Sequence, residues 1–333
     1  MTNTSLTNKT VLVTGASGFL GGALAQRLAA DGVRVRALVR RPERANLLRQ
    51  SPTIEIVQGD ITDLERMKQV SDGCSHVFHV AAALGGPYNV QYPANVEGTR
   101  NIMLAAAQAH VERVVHVSSI AVYGYKYRGL VSEDTPHRPG AVPYNRTKTE
   151  AETVVREIGK SHNQPYSIIR PGMIYGPRSS AWTATMFKVA RRRPTLFPGD
   201  GSGSAFPIYV NDVIDLIAVL ARHPAAEGEA FNCAPDPAPT WRAFIGSYSH
   251  LAGHGRWLAL PVWPIKLAAP LAELLLKLRG VPQDVPDIIA FGQANVTYSM
   301  AKARALLDWQ PRVSLTEGIQ RCAPWLREQG LLT

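Results

Sequence analysis

Short apolar runs alternate with longer amphipathic segments along the first half of the chain. The runs are rich in valine and isoleucine, which is typical of strands buried on both faces of a parallel sheet. They predict strands at 11–13, 33–39, 54–57, 76–80, 113–117 and 166–169. Helical segments lie between them, including one at 144–158, so the pattern predicts an α/β fold with a doubly wound parallel sheet.

The pattern changes after Pro171, where the chain becomes richer in proline. Loops at 194–207 and 234–239 separate helices predicted at 212–222, 241–251 and 264–278. We therefore expect two domains. The first comprises 1–171, with 208–231 returning to it, and a smaller, mostly helical C-terminal substrate-binding lobe comprises 172–207 and 232–333.

The most apolar stretch is 258–278, but prolines and charged residues interrupt it, which argues against a membrane-spanning helix. Its leucines recur at helical spacing, at Leu267, Leu271, Leu274, Leu275 and Leu278. One interpretation is a helix packed on the second lobe. The other is a peripheral membrane or lipid contact, or a wall for an apolar substrate. No apolar segment precedes the first strand, so we expect no signal peptide and a cytoplasmic protein.

A glycine turn follows the first strand directly. Gly15, Gly18 and Gly21 stand between that strand and an alanine-rich helix. Glycine lets the backbone turn tightly and approach a pyrophosphate, which the free N–H groups and positive end of the helix stabilise. Strand, turn and helix together predict a dinucleotide site on a Rossmann-type sheet.

Composition and net charge narrow the range of possible binding partners. The 333 residues are 45% apolar and 19% charged, as in ordinary globular proteins. The net charge of +10 is compatible with binding to nucleic acid, to an anionic membrane surface or to an anionic cofactor. The basic residues are scattered, however, and we find no nucleic-acid-binding motif. We therefore expect a small-molecule substrate and no nucleic acid. Cys74, Cys233 and Cys322 are far apart and lack metal-ligand spacing, so we expect no metal site.

Two segments carry candidate catalytic residues. Tyr144 and Lys148 are four positions apart at the start of a predicted helix and share one face. The lysine cation stabilises a phenolate, lowers the pKa of the tyrosine and makes it a usable general acid or base. Ser119, at the end of a strand, is placed to hydrogen-bond the same substrate oxygen. A second Tyr-x-x-x-Lys, from Tyr298 to Lys302, has no serine-bearing strand before it, and we interpret it as structural.

Taken together, these motifs resemble the extended short-chain dehydrogenase/reductase superfamily, also called the NAD-dependent epimerase/dehydratase family, and its 3β-hydroxysteroid dehydrogenase-like members in particular. The motifs lie at 14–21, 59–61, 79–82, 95–99, 119–124, 144–148 and 170–177, with a similar C-terminal segment at 298–311. The resemblance covers nearly the whole chain. Seven motifs in the right order are far more specific than any one of them.

The resemblance implies roles for these residues. Ser119, Tyr144 and Lys148 form a catalytic triad, and Lys148 also holds the nicotinamide ribose. Asp60 and Ile61 flank the adenine, although a turn cap is the alternative role for Asp60. The other cofactor-binding residues implied are Gly15, Gly18, Phe19, Leu20, Gly21, Ala81, Ala82, Ala83, Asn95, Tyr144 and Pro171. The family also leads us to expect a homodimer formed through the sheet-flanking helices.

The residues after the second strand predict the cofactor. An NAD site places a carboxylate there for the ribose 2′-hydroxyl, whereas the 2′-phosphate of NADP requires a guanidinium. Val39 stands where the acid is expected, and Arg40 and Arg41 follow. We predict that NADP(H) is preferred over NAD(H), and solvated arginines are the alternative interpretation.

Three functions fit the sequence. The first is an oxidoreductase that interconverts a ketone and a secondary alcohol on an apolar molecule, whether sterol-like, polyketide-like or long-chain. The second is a nucleotide-sugar epimerase or dehydratase with tightly held NAD, and the third is a non-catalytic dinucleotide-binding subunit. Met173 and Ala205 stand where sugar-nucleotide members commonly have Asn and Arg, and Ile120-Ala121 replaces the Asp-Glu pair of dehydratases. These departures favour the first function, and the complete triad argues against the third.

Overall fold

The structure is a computed structural model that describes residues 6–280 and 283–332. Its strands are β1 (Thr10–Thr14), β2 (Arg34–Val39), β3 (Ile54–Gln58), β4 (His76–His79), β5 (Arg113–Val117), β6 (Gly129–Val131), β7 (Tyr166–Pro171), β8 (Met173–Tyr175), β9 (Thr195–Pro198), β10 (Pro207–Tyr209), β11 (Ala230–Cys233), β12 (Trp257–Leu260) and β13 (Val296–Tyr298). Its α-helices are α1 (Phe19–Ala30), α2 (Leu64–Ser71), α3 (Tyr88–Tyr92), α4 (Gly98–Gln108), α5 (Pro143–Ser161), α6 (Met186–Ala190), α7 (Val210–Arg222), α8 (Trp241–Leu251), α9 (Trp263–Leu278), α10 (Val285–Phe291), α11 (Ala301–Leu307) and α12 (Leu315–Glu328).

Seven strands form the central sheet, in the order β11-β7-β5-β4-β1-β2-β3. β1 pairs in parallel with β2 on one side and β4 on the other, so the chain builds outward from β1 in both directions. β4 and β5 are buried along their whole length, and each contains a pair of adjacent apolar residues, Val77-Phe78 and Val114-Val115. The predicted doubly wound parallel sheet is confirmed, with its topological switch point between β1 and β4.

The chain divides into two compact units. The first comprises residues 1–122, 143–170 and 214–231, and the second comprises 123–142, 171–213 and 232–333. The core of the first unit contains Leu12, Val77 and Val114 from the sheet, packed with Ile102 of α4 and Val155 of α5. The helices that flank the sheet therefore bury their apolar faces on it.

The second unit contains short strands as well as helices. β8 pairs with β10, β9 with β12 and β6 with β13, each in parallel. These strands have three or four residues each, too few to show a periodic pattern in the sequence. The segment 123–142, which we expected in the first domain, groups with the second unit because it contains β6.

The helix predicted at 264–278 is present as α9, and of the two interpretations given for it, the one in which its leucines pack on the second lobe does not fit the structure. Only Ala269 of this helix is buried. Leu267 is 77% exposed and Leu278 is 75% exposed. In the ranges 6–280 and 283–332, no helix has both the length and the apolar character needed to cross a membrane.

Candidate active site

The glycine turn after β1 is packed too closely for side chains. Gly15 has a φ of +66°, and a Cβ there would lie 2.8 Å from the Cα of Ala81. A Cβ on Gly21 would overlap the carbonyl group of Gly15. A side chain at either position would push the turn apart, so only glycine preserves its shape.

The start of α1 is open to an anion. Gly18 is the N-cap residue, and no side chain caps the helix or places an acidic group in its first turn. The first amide groups of an α-helix, here those of Phe19, Leu20 and Gly21, have no acceptor within the helix and lie at its positive end. This turn and helix start fit the pyrophosphate of a dinucleotide.

A buried histidine lies at the switch point between β1 and β4. The Nδ1 atom of His79 is 2.9 Å from the Thr14 Oγ1 atom, and its Nε2 atom is 3.0 Å from the Thr99 Oγ1 atom. Thr14 Oγ1 also accepts a hydrogen bond from the Ala81 amide at 3.1 Å. Burial, assisted by the charge of Lys148, lowers the pKa of His79 to about 3, so the ring is neutral. Sequence reasoning missed this network, because no spacing pattern connects its members.

Asn95 joins the loop after β4 to α5. Its buried side chain accepts a hydrogen bond from the Ala83 amide at 2.7 Å and donates to the Ala83 carbonyl at 3.0 Å. It also donates to the Thr147 Oγ1 atom at 3.0 Å. Thr147 directly precedes Lys148, so Asn95 connects the Ala81–Ala83 loop to the helix that carries the candidate catalytic lysine.

The three candidate catalytic residues lie in the first unit. Ser119 follows β5, and its Oγ atom accepts a hydrogen bond from the Ala121 amide at 3.1 Å, which leaves the hydroxyl proton for another acceptor. Tyr144 lies in the first turn of α5, and Lys148 lies one turn later. The Lys148 Nζ atom donates to the Val117 carbonyl at 2.6 Å, which joins α5 to the end of β5. The structure thus brings the serine-bearing and lysine-bearing segments together.

The environment of Lys148 changes its acidity. Burial lowers the pKa of Lys148 to about 8, and the negative charge of Glu152 opposes this effect. Glu152, one turn further along α5, accepts two hydrogen bonds from Arg170, at 2.9 Å and 2.7 Å. Both side chains of this pair are at most 2% exposed. A buried bidentate pair has a fixed geometry, so Glu152 provides a stationary counter-charge for Lys148.

The candidate adenosine-side residues lie after β2 and β3. Arg40 and Arg41 are exposed, and the Arg40 Nη1 atom is 4.0 Å from the Asp60 Oδ2 atom. The Oδ1 atom of Asp60 accepts a hydrogen bond from the Thr62 amide at 3.0 Å, so this residue does cap a turn. Ile61 is buried in the core of the first unit. Asp60 therefore has one carboxylate oxygen in a turn and the other near Arg40.

The positions that differ from sugar-nucleotide enzymes lie in the second unit. Met173 starts β8, just beyond Pro171, the last residue of β7. Its amide donates to the Phe206 carbonyl at 2.7 Å, so Met173 and Ala205 belong to neighbouring backbone segments. Neither side chain offers a hydrogen-bond donor or a positive charge to a diphosphate.

The second Tyr-x-x-x-Lys motif is structural, as expected. Tyr298 belongs to β13, whereas Lys302 belongs to α11, so the two residues do not share a helix face. The Tyr298 ring is 2% exposed and lies 4.8 Å from the ring of Phe206 and 5.5 Å from that of Tyr123. Burial raises the pKa of Tyr298, which makes it a poor proton donor or acceptor near neutral pH.

Residues 11–234 match the pattern of the NAD dependent epimerase/dehydratase family. The chain belongs to this family. Among relatives, a UDP-glucose 4-epimerase from Mycolicibacterium smegmatis is 31% identical over 96% of this chain and 98% of its own length. "Sterol demethylase protein B" from Methylococcus capsulatus is 29% identical over 97% and 100%, respectively. The UDP-glucuronic acid 4-epimerase from Bacillus cereus, solved in complex with NAD, matches with a TM-score of 0.77 at 22% identity, covering 96% of this chain and 99% of its own.

Membership of the epimerase/dehydratase family confirms the resemblance to the extended short-chain dehydrogenases and reductases. The chain is therefore an NAD(P)-dependent enzyme, and the interpretation as a non-catalytic subunit is set aside. The two sequence relatives have names that refer to different substrates, a UDP-sugar and a sterol. The solved structure, at 22% identity, shows the shared fold.

Proposed function

We propose that this enzyme is an NADP(H)-dependent oxidoreductase that interconverts a ketone and a secondary alcohol on an apolar small molecule. The observation that carries the proposal is the buried Lys148 ammonium, which is bonded to the end of β5 and lies one turn from Tyr144 on α5. We take this cation and the phenol of Tyr144 to act together, next to the strand that leads to Ser119. Such a group of side chains is suited to moving a proton at a substrate oxygen.

The proposed chemistry divides between the cofactor and the chain. A bound nicotinamide cofactor would supply hydride-transfer chemistry at the carbon that carries the ketone or alcohol oxygen. Tyr144 gives or takes the proton at the substrate oxygen, and the charge of Lys148 stabilises its phenolate form. Ser119 donates a hydrogen bond that orients the same oxygen. Lys148 also binds the nicotinamide ribose, so one residue serves both binding and proton transfer.

Cofactor recognition follows the same elements. The bare turn at Gly15, Gly18 and Gly21 receives the pyrophosphate at the start of α1. Arg40 and Arg41 bind the 2′-phosphate, which is the basis for proposing NADP(H) over NAD(H). Asp60 and Ile61 flank the adenine, and the Ala81–Ala83 loop, Asn95 and Pro171 border the cofactor.

The proposed apolar substrate is inferred from two positions whose side chains cannot bind a sugar diphosphate. Met173 and Ala205 offer no group to a sugar diphosphate, whereas an apolar substrate requires none there. The similarity to "Sterol demethylase protein B" over nearly the whole chain supports an apolar substrate. A sterol-like, polyketide-like or long-chain ketone satisfies both observations.

A nucleotide-sugar epimerase or dehydratase with tightly held NAD is the second candidate. The observation that favours it is the 31% identity to the Mycolicibacterium smegmatis UDP-glucose 4-epimerase over 98% of that protein. In such an enzyme the same Tyr144 and Lys148 would act, but the hydride would return to the sugar. Net cofactor consumption therefore separates the two candidates.

The test is to incubate the purified protein with NADPH or NADH and panels of ketosteroids, β-keto acids and nucleotide sugars. We expect an apolar ketone to cause loss of NADPH absorbance, and Tyr144→Phe to slow turnover by about 100-fold or more. Tyr127→Phe, which alters a partly exposed tyrosine of the second unit and removes its hydrogen bond to the Pro136 carbonyl, is the control and should retain turnover. Conversion of a nucleotide sugar without net cofactor change supports the second candidate instead. Substantial turnover by Tyr144→Phe contradicts the assignment of the proton donor.

A further inference from the structure

One side of α9 exposes large apolar side chains to solvent. The exposed row consists of Trp263, Leu267, Leu271, Leu274 and Leu278. Successive members are three or four positions apart, which places all five along one side of the helix. They are 52% to 77% exposed, whereas Ala269 on the other side is buried. The one buried residue of the helix is therefore small, and its bulkiest apolar residues are exposed.

Four further large apolar side chains in the same stretch of the chain are also exposed. Leu258 and Leu260 of β12 are exposed, as are Ile265 and Leu275 of α9. Nine of the 15 exposed large apolar side chains in residues 6–280 and 283–332 fall within 258–278. We call these nine side chains the outer apolar surface. Such a concentration of exposed apolar side chains is typical of a surface that binds another protein or a membrane.

Positive charge borders the outer apolar surface. Lys266 and Lys277 are exposed and lie on the same side of α9, next to the apolar row, and exposed Arg279 follows the helix. Glu273 shares that side but is partly buried. The whole chain has a net charge of +10. The border therefore complements an anionic surface.

We propose that the outer apolar surface binds an anionic lipid bilayer, with α9 lying in the plane of the interface. Leucines and a tryptophan on one side with lysines along the edge are the composition of interfacial helices. Lysine side chains there cover apolar area with their methylene groups and reach lipid phosphates with their ammonium groups. The 16 residues of α9 span about 24 Å, which is shorter than the hydrocarbon core of a bilayer.

Charge also favours a lipid bilayer over a second copy of this chain as the partner of the outer apolar surface. Two chains that each carry a net charge of +10 repel one another, and a symmetric contact through α9 would bring the lysines of both copies close together. An anionic bilayer removes the same apolar area from water and attracts those lysines. This inference does not depend on the proposed reaction or on the cofactor.

The test is cosedimentation of the full chain with phosphatidylcholine vesicles that contain about one third phosphatidylglycerol. We expect the wild-type protein to sediment with these vesicles and to bind pure phosphatidylcholine more weakly. The double variant Leu267→Gln/Leu271→Gln should bind at least about tenfold more weakly, because both side chains leave water on binding. Lys266→Glu/Lys277→Glu should lose the preference for the anionic vesicles. Leu306→Gln, which changes a 45% exposed leucine of α11, is the matched control and should bind as the wild type does.

Each outcome decides the inference. The altered side chains are exposed, so thermal unfolding should show that all variants fold like the wild type. If the wild-type protein stays in the supernatant, or if the leucine double variant binds as well as Leu306→Gln, the inference is wrong. A wild-type dimer in sedimentation velocity that the leucine double variant separates into monomers, without vesicle binding, assigns the surface to a second copy and overturns the lipid assignment. Catalytic turnover is not a readout, so failure here leaves the proposed function untouched.

Discussion

The Lys148 ammonium donates a hydrogen bond to the Val117 carbonyl oxygen at 2.6 Å. A side chain of α5 is thereby fixed to the backbone of β5 at the carboxyl edge of the sheet. Because a backbone carbonyl moves less than a side chain, the position of the cation is set by the sheet itself. The cost of this placement is lost hydration, which lowers the pKa of Lys148 to about 8.

Burial of Lys148 predicts that stability rises with pH in the alkaline range. The folded chain begins to release this proton near pH 8, whereas a lysine of the unfolded chain keeps it up to its ordinary pKa of 10.5. The unfolded state therefore binds more protons in this window, and the free energy of unfolding increases with pH by up to about 3 kcal/mol. Lys148→Met should remove this increase in urea titrations of the protein without cofactor. Lys160→Met, at an exposed position of the same helix, should leave it unchanged, and equal slopes for both variants would contradict the prediction.

The neutral His79 ring predicts loss of stability in acid. Its pKa is lowered from 6.5 to about 3, mainly by burial, so the unfolded chain takes up a proton first as the pH falls. Stability attributable to this residue is complete above pH 6.5 and decreases below it, by about 2 kcal/mol between pH 7 and pH 5. His79→Gln should weaken this dependence in urea titrations at the two pH values. His162→Gln changes an exposed histidine and is the control, so its free energy of unfolding should depend on pH as that of the wild type does. If His79→Gln keeps the wild-type pH dependence, burial of a neutral His79 is not the cause of the loss of stability in acid.

Gly15→Ala should damage the glycine turn through both conformation and contact. Gly15 has a φ of +66° and a Cβ there would lie 2.8 Å from the Ala81 backbone. Gly73 has a similar φ of +69°, and no atom lies within 4 Å of its Cβ position. Gly73→Ala should therefore lose stability through backbone conformation only. We expect each variant to lose about 1 kcal/mol from strained backbone, and Gly15→Ala to lose more. Only Gly15→Ala should also weaken dinucleotide binding, by at least about tenfold measured by fluorescence titration. Similar cofactor affinity in both variants would argue against a pyrophosphate at this turn.

Arg40→Ala tests the preference for NADP(H). Arg40 is exposed after β2, and a guanidinium bonded to the 2′-phosphate contributes about 1.5 to 3 kcal/mol. The Kd for NADPH should therefore rise by roughly tenfold or more, while the Kd for NADH stays the same. Arg327→Ala, at an exposed site on α12, should change neither value. Equal or tighter binding of NADH by the wild-type protein would refute the preference.

Most of the central fold was predictable because its signals are local. The strand at Arg113–Val117 is buried along its whole length, and three of its five residues are valine. α5 was predicted from 144 to 158 and extends over Pro143–Ser161. The strands of the second unit were not predictable, because β6, β8, β10 and β13 have three residues each and form only through pairing with distant partners.

The candidate site was predictable where spacing alone defines it. Tyr144 and Lys148 share a helix face whatever surrounds them, and the glycine turn follows from its three glycines. The link between Thr14, His79 and Thr99 joins residues far apart in the chain, and only pairing of β1 with β4 brings the first two together. Local patterns carry no information about such contacts.

From its sequence alone, the chain determines an alternating α/β architecture, a dinucleotide turn and a tyrosine–lysine pair, since each depends on residues a few positions apart. Only the tertiary structure decided that Lys148 is buried against Val117 and acidified, because burial depends on how distant segments pack. The same holds for α9. Helical spacing of its leucines indicates an apolar face, but the sequence does not say whether that face points inward, and packing through Ala269 turns it outward.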